Sequence, residues 1–194
     1  KQMTDKPIIV IGAGICGLST AIWLQRSGYS VILMDKGMPG MGASYGNAGL
    51  LAQWAIAPVT SPTLWREAPK YLLNPNSPLF LKWLYFPKLL PWLTKFLSHA
   101  TDAATKRIVS HQIPLICDAV DQHKSLVHGT DLERWISDSK FSYAYKSKAH
   151  FDADAYTWDL KKTAGFDPTV VTGGAVQECE PILGPTVKCL AVLE

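Results

Sequence analysis

The sequence predicts an α/β protein that opens on a parallel β-α-β unit and continues into a helical segment and a second sheet. Three observations carry this. Pro7–Ile11 is an unbroken apolar run, Gly12–Gly17 is a glycine-rich turn at the start of a helical pattern, and Tyr29–Asp35 is a second apolar run. Short links on either side of one helix place the two strands parallel.

Pro7–Ile11 reads as a buried strand. Leu18–Ser27 reads as a helix with Ile15, Leu18 and Ile22 on one face and Gly28 at its C-terminal cap. Tyr29–Asp35 is the second strand, with Val31–Met34 at its centre. A loop from Gly37 to Gly49 follows, rich in small residues (Gly37, Gly40, Gly42, Gly46 and Gly49 among them). Residues 50–58 are apolar and read as partly extended. Pro62–Leu73, Leu79–Tyr85 and Pro87–Leu97 read as short helices with proline near their starts. Thr101–Val127 reads as one longer helix kinked at Pro114. Phe141–Tyr145 alternates like a strand, and Asp152–Ala164 reads as a helix closed by Gly165. Ala175–Glu178 and Val187–Leu193 read as short strands around a turn at Pro181–Pro185.

Composition narrows the function classes. Hydrophobic residues make up 47% of the 194 and charged residues 18%, which is a globular balance. A net charge of +3, from 19 basic and 16 acidic side chains, with no Lys/Arg run, gives no footprint for nucleic acid. Cys16, Cys117, Cys179 and Cys189 form no C-x-x-C pair and match no zinc spacing, so they read as reduced thiols of a cytosolic protein, and no metal is expected. Pro78–Leu97 is interrupted by Lys82, Pro87, Lys88, Pro91 and Lys95 and makes a poor membrane span.

Gly12-Ala13-Gly14-Ile15-Cys16-Gly17 is G-x-G-x-x-G between a strand and a helix, with Asp35 at the end of the next strand. Alone the motif is weak; in this context it marks a Rossmann-like dinucleotide site. Gly12 permits the tight turn out of the strand, Gly14 lets a pyrophosphate approach the backbone, and Gly17 lets the helix pack closely. Unpaired N–H groups and the helix dipole favour the phosphate charge. Asp35 stands where a carboxylate accepts hydrogen bonds from ribose hydroxyls and repels a 2′-phosphate. Cys16 occupies a free position and reads as packing.

A nicotinamide-binding domain would continue with a further helix and a third parallel strand. This chain instead passes from Asp35-Lys36 into Gly40-Met-Gly-Ala-Ser44-Tyr-Gly-Asn47-Ala48-Gly49-Leu50. Such a loop lets backbone N–H groups and the Ser44 hydroxyl reach the pyrophosphate from a second side, and lets main chain lie against a flat ring.

The run Ile11-Gly-Ala-Gly-Ile-Cys-Gly-Leu-Ser-Thr-Ala, then Asp35, then Ser44-x-x-Asn47-Ala48-Gly49, resembles the opening of the D-amino acid dehydrogenases. Their wider group of D-amino acid oxidase-like flavoproteins includes glycine oxidase and sarcosine oxidase. The resemblance is clear over residues 7–50 and fainter at Phe141–Tyr145 and Glu180–Pro185. It implies FAD, with the fingerprint glycines and Asp35 on the ADP half, Ser44 on phosphate, and Asn47-Ala48-Gly49 near the flavin ring. It implies hydride transfer from the α-carbon of an amino acid, most typically a D-amino acid, to flavin N5. Electrons would pass to a quinone or another acceptor. Glycine, sarcosine, proline derivatives or 2-hydroxy acids are the alternative substrates, and a non-catalytic piece that binds only the ADP part of FAD is the remaining reading.

The expected organisation is an FAD-binding segment over 1–60, a helical segment over 61–139, and the start of a substrate-domain sheet over 140–194. The family fold returns to the FAD domain after the substrate sheet, and a two-stranded unit cannot cover its own sheet. The chain is therefore expected to be incomplete without a companion polypeptide, from cleavage of a longer enzyme or from a split enzyme, with cleavage favoured.

No catalytic residue is readable. His99, His111, His123, His128 and His150 are scattered and read as solvated or core. Tyr143 and Tyr145 would line the substrate pocket if their strand faces the flavin, and are core otherwise. In Pro78–Leu97, Phe80, Trp83, Tyr85, Phe86, Trp92 and Phe96 alternate with Lys82, Lys88 and Lys95. Two readings stand: helices packed on the protein, or a peripheral membrane face. The expected location is the cytoplasm, or the inner face of the cytoplasmic membrane on the second reading.

Overall fold

The computed structural model describes residues 6–65 and 82–194. The helix expected over Pro62–Leu73 and the first part of that expected over Leu79–Tyr85 lie largely outside the described residues. The chain divides into two compact units, one holding residues up to Ala52 together with Ala119–Ser137, the other holding Gln53–Asp118 and Asp138–Glu194.

The first unit is the β-α-β. Strand β1 (Ile8–Ile11) pairs in parallel with β2 (Val31–Met34), with Ile8 opposite Val31 and Ile11 opposite Met34. Helix α1 (Ile15–Arg26) joins them. It starts three residues before the apolar pattern does, because the fingerprint itself supplies the first helical turn. Gly28 lies just past the C-cap with φ +86° and donates its N–H to the Gln25 carbonyl at 2.9 Å. Only glycine adopts that conformation without strain. Ala13 and Ala21 are the buried small residues here, while Ile15 and Ile22 are 44% and 37% exposed. The alternation along both strands leaves Ile9, Ile11, Ile32 and Met34 exposed.

The helix expected over Thr101–Val127 is two helices, Asp102–Ile116 and Ala119–Val127, and the break follows Pro114 rather than falling on it. Proline removes the bond to the Ser110 carbonyl and crowds it; the helix completes its turn and stops at Cys117. The two compact units divide at this break. We label Phe86–Ser98 α2, Asp102–Ile116 α3 and Ala119–Val127 α4. Thr101 caps α3 by accepting from the Ala104 N–H at 3.3 Å. Arg26, at the end of α1, donates to the Ser125 and Leu126 carbonyls at 2.9 and 2.8 Å, holding the C-terminal end of α4 within the first unit.

The second unit is built on an antiparallel sheet ordered β3-β5-β4. Its strands are β3 (Phe141–Tyr145), β4 (Thr169–Thr172) and the central β5 (Cys189–Leu193), all five of whose residues are buried. Strand β4 was not legible in the sequence. The segment expected as a strand over Ala175–Glu178 is instead a helix, Ala175–Cys179. As a helix it buries Val176 completely against Leu190 and Val192 of β5. The helix expected over Asp152–Ala164 is two, α5 (Lys148–Ala153) and α6 (Ala155–Thr163), divided at Asp154. The Asp154 carboxylate accepts from the Tyr145 hydroxyl at 2.9 Å. Gly165 closes α6 at φ +90°. Within residues 50–58, expected to be partly extended, residues 53–56 form a turn and no strand is present. Ile56, fully buried, packs with Val109 of α3 and Leu160 of α6. Leu190 and Val192 of β5 pack against Val176 on the opposite side of the sheet from the aromatic layer described below.

Candidate nucleotide-binding site

The site grows out of the end of β1. Gly12 turns the chain at φ +102° and donates its N–H to the Met34 carbonyl at 2.7 Å, tying the turn to the end of β2. A Cβ on Gly17 would stand 1.7 Å from the Gly12 carbonyl oxygen, so glycine is required for α1 to close on the turn. Gly14 is the N-cap of α1 and, having no side chain, supplies no cap bond. Of the first-turn N–H groups of α1, that of Ile15 is taken by the Ser44 Oγ at 2.9 Å, and those of Cys16 and Gly17 are left for an anion. A Cβ on Gly14 would come 3.3 Å from the Ser44 Oγ.

Three segments meet around this turn. Asp35 accepts from the Ala13 N–H at 2.6 Å through one oxygen and from the Gly37 N–H at 3.0 Å through the other. The Ala13 N–H, the Gly37 N–H and then the Lys36 charge hold its carboxyl below the usual carboxylate range, so it is an ionised acceptor at neutral pH. Ser44 Oγ accepts from the Ile15 N–H at 2.9 Å, and the Gly40 N–H reaches the Ala13 carbonyl at 2.8 Å. The small-residue loop is thus fastened to the glycine turn at two points. Beyond Ser44 the loop folds on itself. Asn47 donates to the Ser44 carbonyl at 3.1 Å and accepts from the Gly49 N–H at 2.7 Å. Gly49 sits at φ +66°, Leu50 is exposed, and Ala48 lies between the two turns.

Gly12, Ala13, Gly14, Ile15, Gly17, Asp35 and Ser44 are therefore brought together, with Cys16 exposed in the same helical turn and Lys36 exposed beside Asp35. Gly37 and Gly40, whose N–H groups complete the web, were not singled out by sequence. They sit in a glycine-rich stretch where pattern alone does not say which amide bonds back.

Tyr143 and Tyr145 belong to the second unit. With Phe141 they line one face of β3, in an aromatic layer with Trp54, Phe151 and Trp158. The Tyr145 hydroxyl donates to Asp154 and accepts from Trp158 Nε1, both at 2.9 Å. Burial raises the Tyr143 hydroxyl above its ordinary value and raises that of Tyr145 strongly. A residue the sequence did not flag lies in the same layer. Lys161 is 4% exposed, with its Nζ 3.7 Å from the Tyr143 ring centre and 4.3 Å from that of Trp158. Burial pulls its ammonium down to about 8, opposed in part by Asp154. Lys161-Lys162 in an amphipathic helix looks like a solvated pair, so no sequence signal distinguishes the buried one.

A glycine turn between parallel strands, a helix start whose N-cap is a glycine and an ionised carboxylate at the end of the second strand define a dinucleotide-binding protein of the Rossmann-like class. The family follows from comparison with known proteins. Residues 7–192 match the family described as FAD dependent oxidoreductase, and the chain belongs to it. A D-amino-acid oxidase from Bradyrhizobium diazoefficiens is 35% identical over 190 residues, 96% of this chain and 45% of that protein. D-amino acid dehydrogenase 2 from Ralstonia nicotianae is 41% identical over 166 residues, 84% of this chain and 37% of that protein. Among solved structures, glycine oxidase from Bacillus cereus aligns with a TM-score of 0.49 at 18% identity, over 96% of this chain and 38% of that one. The chain spans less than half the length of these relatives.

Proposed function

We propose that this chain binds FAD and belongs to an enzyme that oxidises an amino acid, most typically a D-amino acid, to the imino acid. The observation that carries the reading is the web joining Ala13, Ile15, Asp35, Gly40 and Ser44 around a helix start whose N-cap is glycine. The names of the relatives, D-amino-acid oxidase and D-amino acid dehydrogenase, support the substrate class.

The residues present fit the cofactor. Bound flavin supplies the hydride acceptor for the substrate α-carbon. On this reading the first-turn amides of α1 hold the pyrophosphate, as does the Ser44 hydroxyl, whose oxygen already takes the Ile15 amide and whose hydrogen is left to donate. Asp35 orients the ribose through hydroxyl-to-carboxylate bonds. The Asn47-Ala48-Gly49 turn, held by two local hydrogen bonds, presents main chain rather than bulk to the ring. The same tripeptide, with its resemblance to the dehydrogenases, supports an electron acceptor other than oxygen. The substrate's carboxylate and amine are bound by residues of a further polypeptide stretch, in the same protein or a companion chain. The share of the relatives' length that this chain spans supports that part of the reading.

The test is a visible spectrum of the purified protein followed by dye reduction and oxygen uptake. D-amino acids, L-amino acids, secondary amines and 2-hydroxy acids form the panel. A flavin band with reduction by D-amino acids and little oxygen uptake is expected. Absence of flavin refutes the cofactor assignment; preference for another substrate class refutes the substrate assignment.

A further inference from the structure

Helix α2 (Phe86–Ser98) and the turn before it, Trp83–Tyr85, carry an exposed apolar surface interleaved with lysines. Phe86, Leu89, Leu93, Phe96 and Leu97 are the half-buried residues of the helix and fall on one side of it. On the outer side Trp92 stays 57% exposed, and Trp83, Leu84 and Tyr85 are 66%, 98% and 55% exposed in the preceding turn. Exposed lysines interleave with them. Lys88, Trp92 and Lys95 are spaced four and three apart and share one side of α2, and Lys82 precedes the turn. No acidic residue occurs from Lys82 to Ser98. By contrast, the exposed apolar residues of the parallel sheet, Ile9, Ile11, Ile32 and Met34, stand in strands that hold no charge at all. That uncharged surface suits a protein neighbour. The α2 surface has the chemistry of a lipid interface, where indole and phenol rings sit at headgroup level and lysine stems reach past them to phosphate.

We propose that α2 and the Trp83–Tyr85 turn form a peripheral docking face for an anionic lipid surface. The helix lies in the plane of the headgroups. Its 13 residues span about 20 Å at 1.5 Å each. Among the described residues no helix is long and apolar enough to cross a membrane. Trp83, Leu84, Tyr85 and Trp92 enter the headgroup layer, while Lys82, Lys88 and Lys95 pair with lipid phosphates. Two contributions, apolar insertion and charge, act together, so removing either weakens binding.

The experiment is flotation of the purified flavoprotein on vesicles of equal phosphatidylglycerol and phosphatidylcholine, and on phosphatidylcholine alone. The unsubstituted protein is compared with Trp83→Ala/Trp92→Ala and with Lys82→Glu/Lys88→Glu/Lys95→Glu. Flavin absorbance and far-ultraviolet circular dichroism confirm that each variant is folded. The expected result is flotation on the anionic vesicles only, and its weakening by salt. Roughly a hundredfold lower partitioning of the lysine variant is expected from the usual contribution of each basic residue near an anionic surface, with a clear loss for the tryptophan variant. No flotation of the unsubstituted protein, or equal flotation of all three, overturns the proposal. So does an iodide-quenchable share of tryptophan emission that is unchanged by the double tryptophan substitution, since Trp65 and Trp135 are exposed in both proteins and Trp83 and Trp92 would then be covered.

Discussion

Replacing Lys161 by methionine should stabilise the protein at neutral pH, and by an amount that depends on pH in a defined direction. The ammonium is buried among aromatic rings and its folded-state value is about 8, against 10.5 for an ordinary lysine. Below pH 8 both folded and unfolded chains carry the proton, and the full cost of burying the charge is present. Between 8 and 10.5 the unfolded chain holds the proton and the folded chain releases it, so stability rises with pH across that window. A difference of that size corresponds to about 3 kcal/mol, of which about 2 kcal/mol should be relieved between pH 7 and 9.5. Methionine keeps the length of the side chain and removes the charge, so the variant should lack this rise. Tyr143 and Tyr145, raised by burial, lower stability as pH climbs above 10, but they do so in both proteins and cancel in the comparison. Urea unfolding of both proteins from pH 7 to 9.5 measures the difference. Parallel curves would refute the desolvation argument. A less stable Lys161→Met at pH 7 would show that the ammonium's attraction to the Tyr143 and Trp158 rings outweighs its lost hydration.

Four further outcomes are expected. Gly17→Ala should abolish flavin retention, because its Cβ meets the Gly12 carbonyl at 1.7 Å, whereas Gly42→Ala, with nothing within 4 Å, should retain it; absorbance of the purified variants decides. Ser44→Ala should weaken FAD binding by about 1 kcal/mol, read by titration of the apoprotein, since the Ile15 N–H and the loop both lose a partner. Asp35→Asn should weaken FAD binding roughly tenfold at neutral pH, and the dependence of the unsubstituted protein on this carboxylate should persist until pH falls below the ordinary value of 3.8. Thr101→Ala should destabilise the protein by about 1 kcal/mol through loss of the α3 cap, measured in urea.

The nucleotide-binding turn was legible because its physics is local. Gly12, Gly17 and Asp35 are fixed by a strand, a turn and a helix contiguous in sequence, and their types follow from backbone clearance and charge. The second unit was less legible because its elements are decided by pairing over long separations. Val170 and Val171 become a strand because β5 lies beside them, and Ala175–Cys179 is a helix whose Val176 docks on Leu190 and Val192 of that same distant strand. Asp154 interrupts a helix through a partner nine residues earlier, Tyr145. Lys161 is invisible for the same reason, since the ring nearest its ammonium, Tyr143, comes from β3, while its own helix supplies Trp158.

The pair of hydrogen bonds from Arg26 into α4 bridges 99 and 100 residues of chain. The nucleotide-binding unit is consequently discontinuous: its sheet and glycine turn are made first, and α4 is made only after the whole intervening stretch. Closing a flexible loop of that length costs about 4 kcal/mol in chain entropy, which the structure of the intervening residues must lower before Arg26 finds its carbonyls. The glycine turn is therefore encoded early in the chain, and the carbonyls that Arg26 holds come 99 and 100 residues after that arginine.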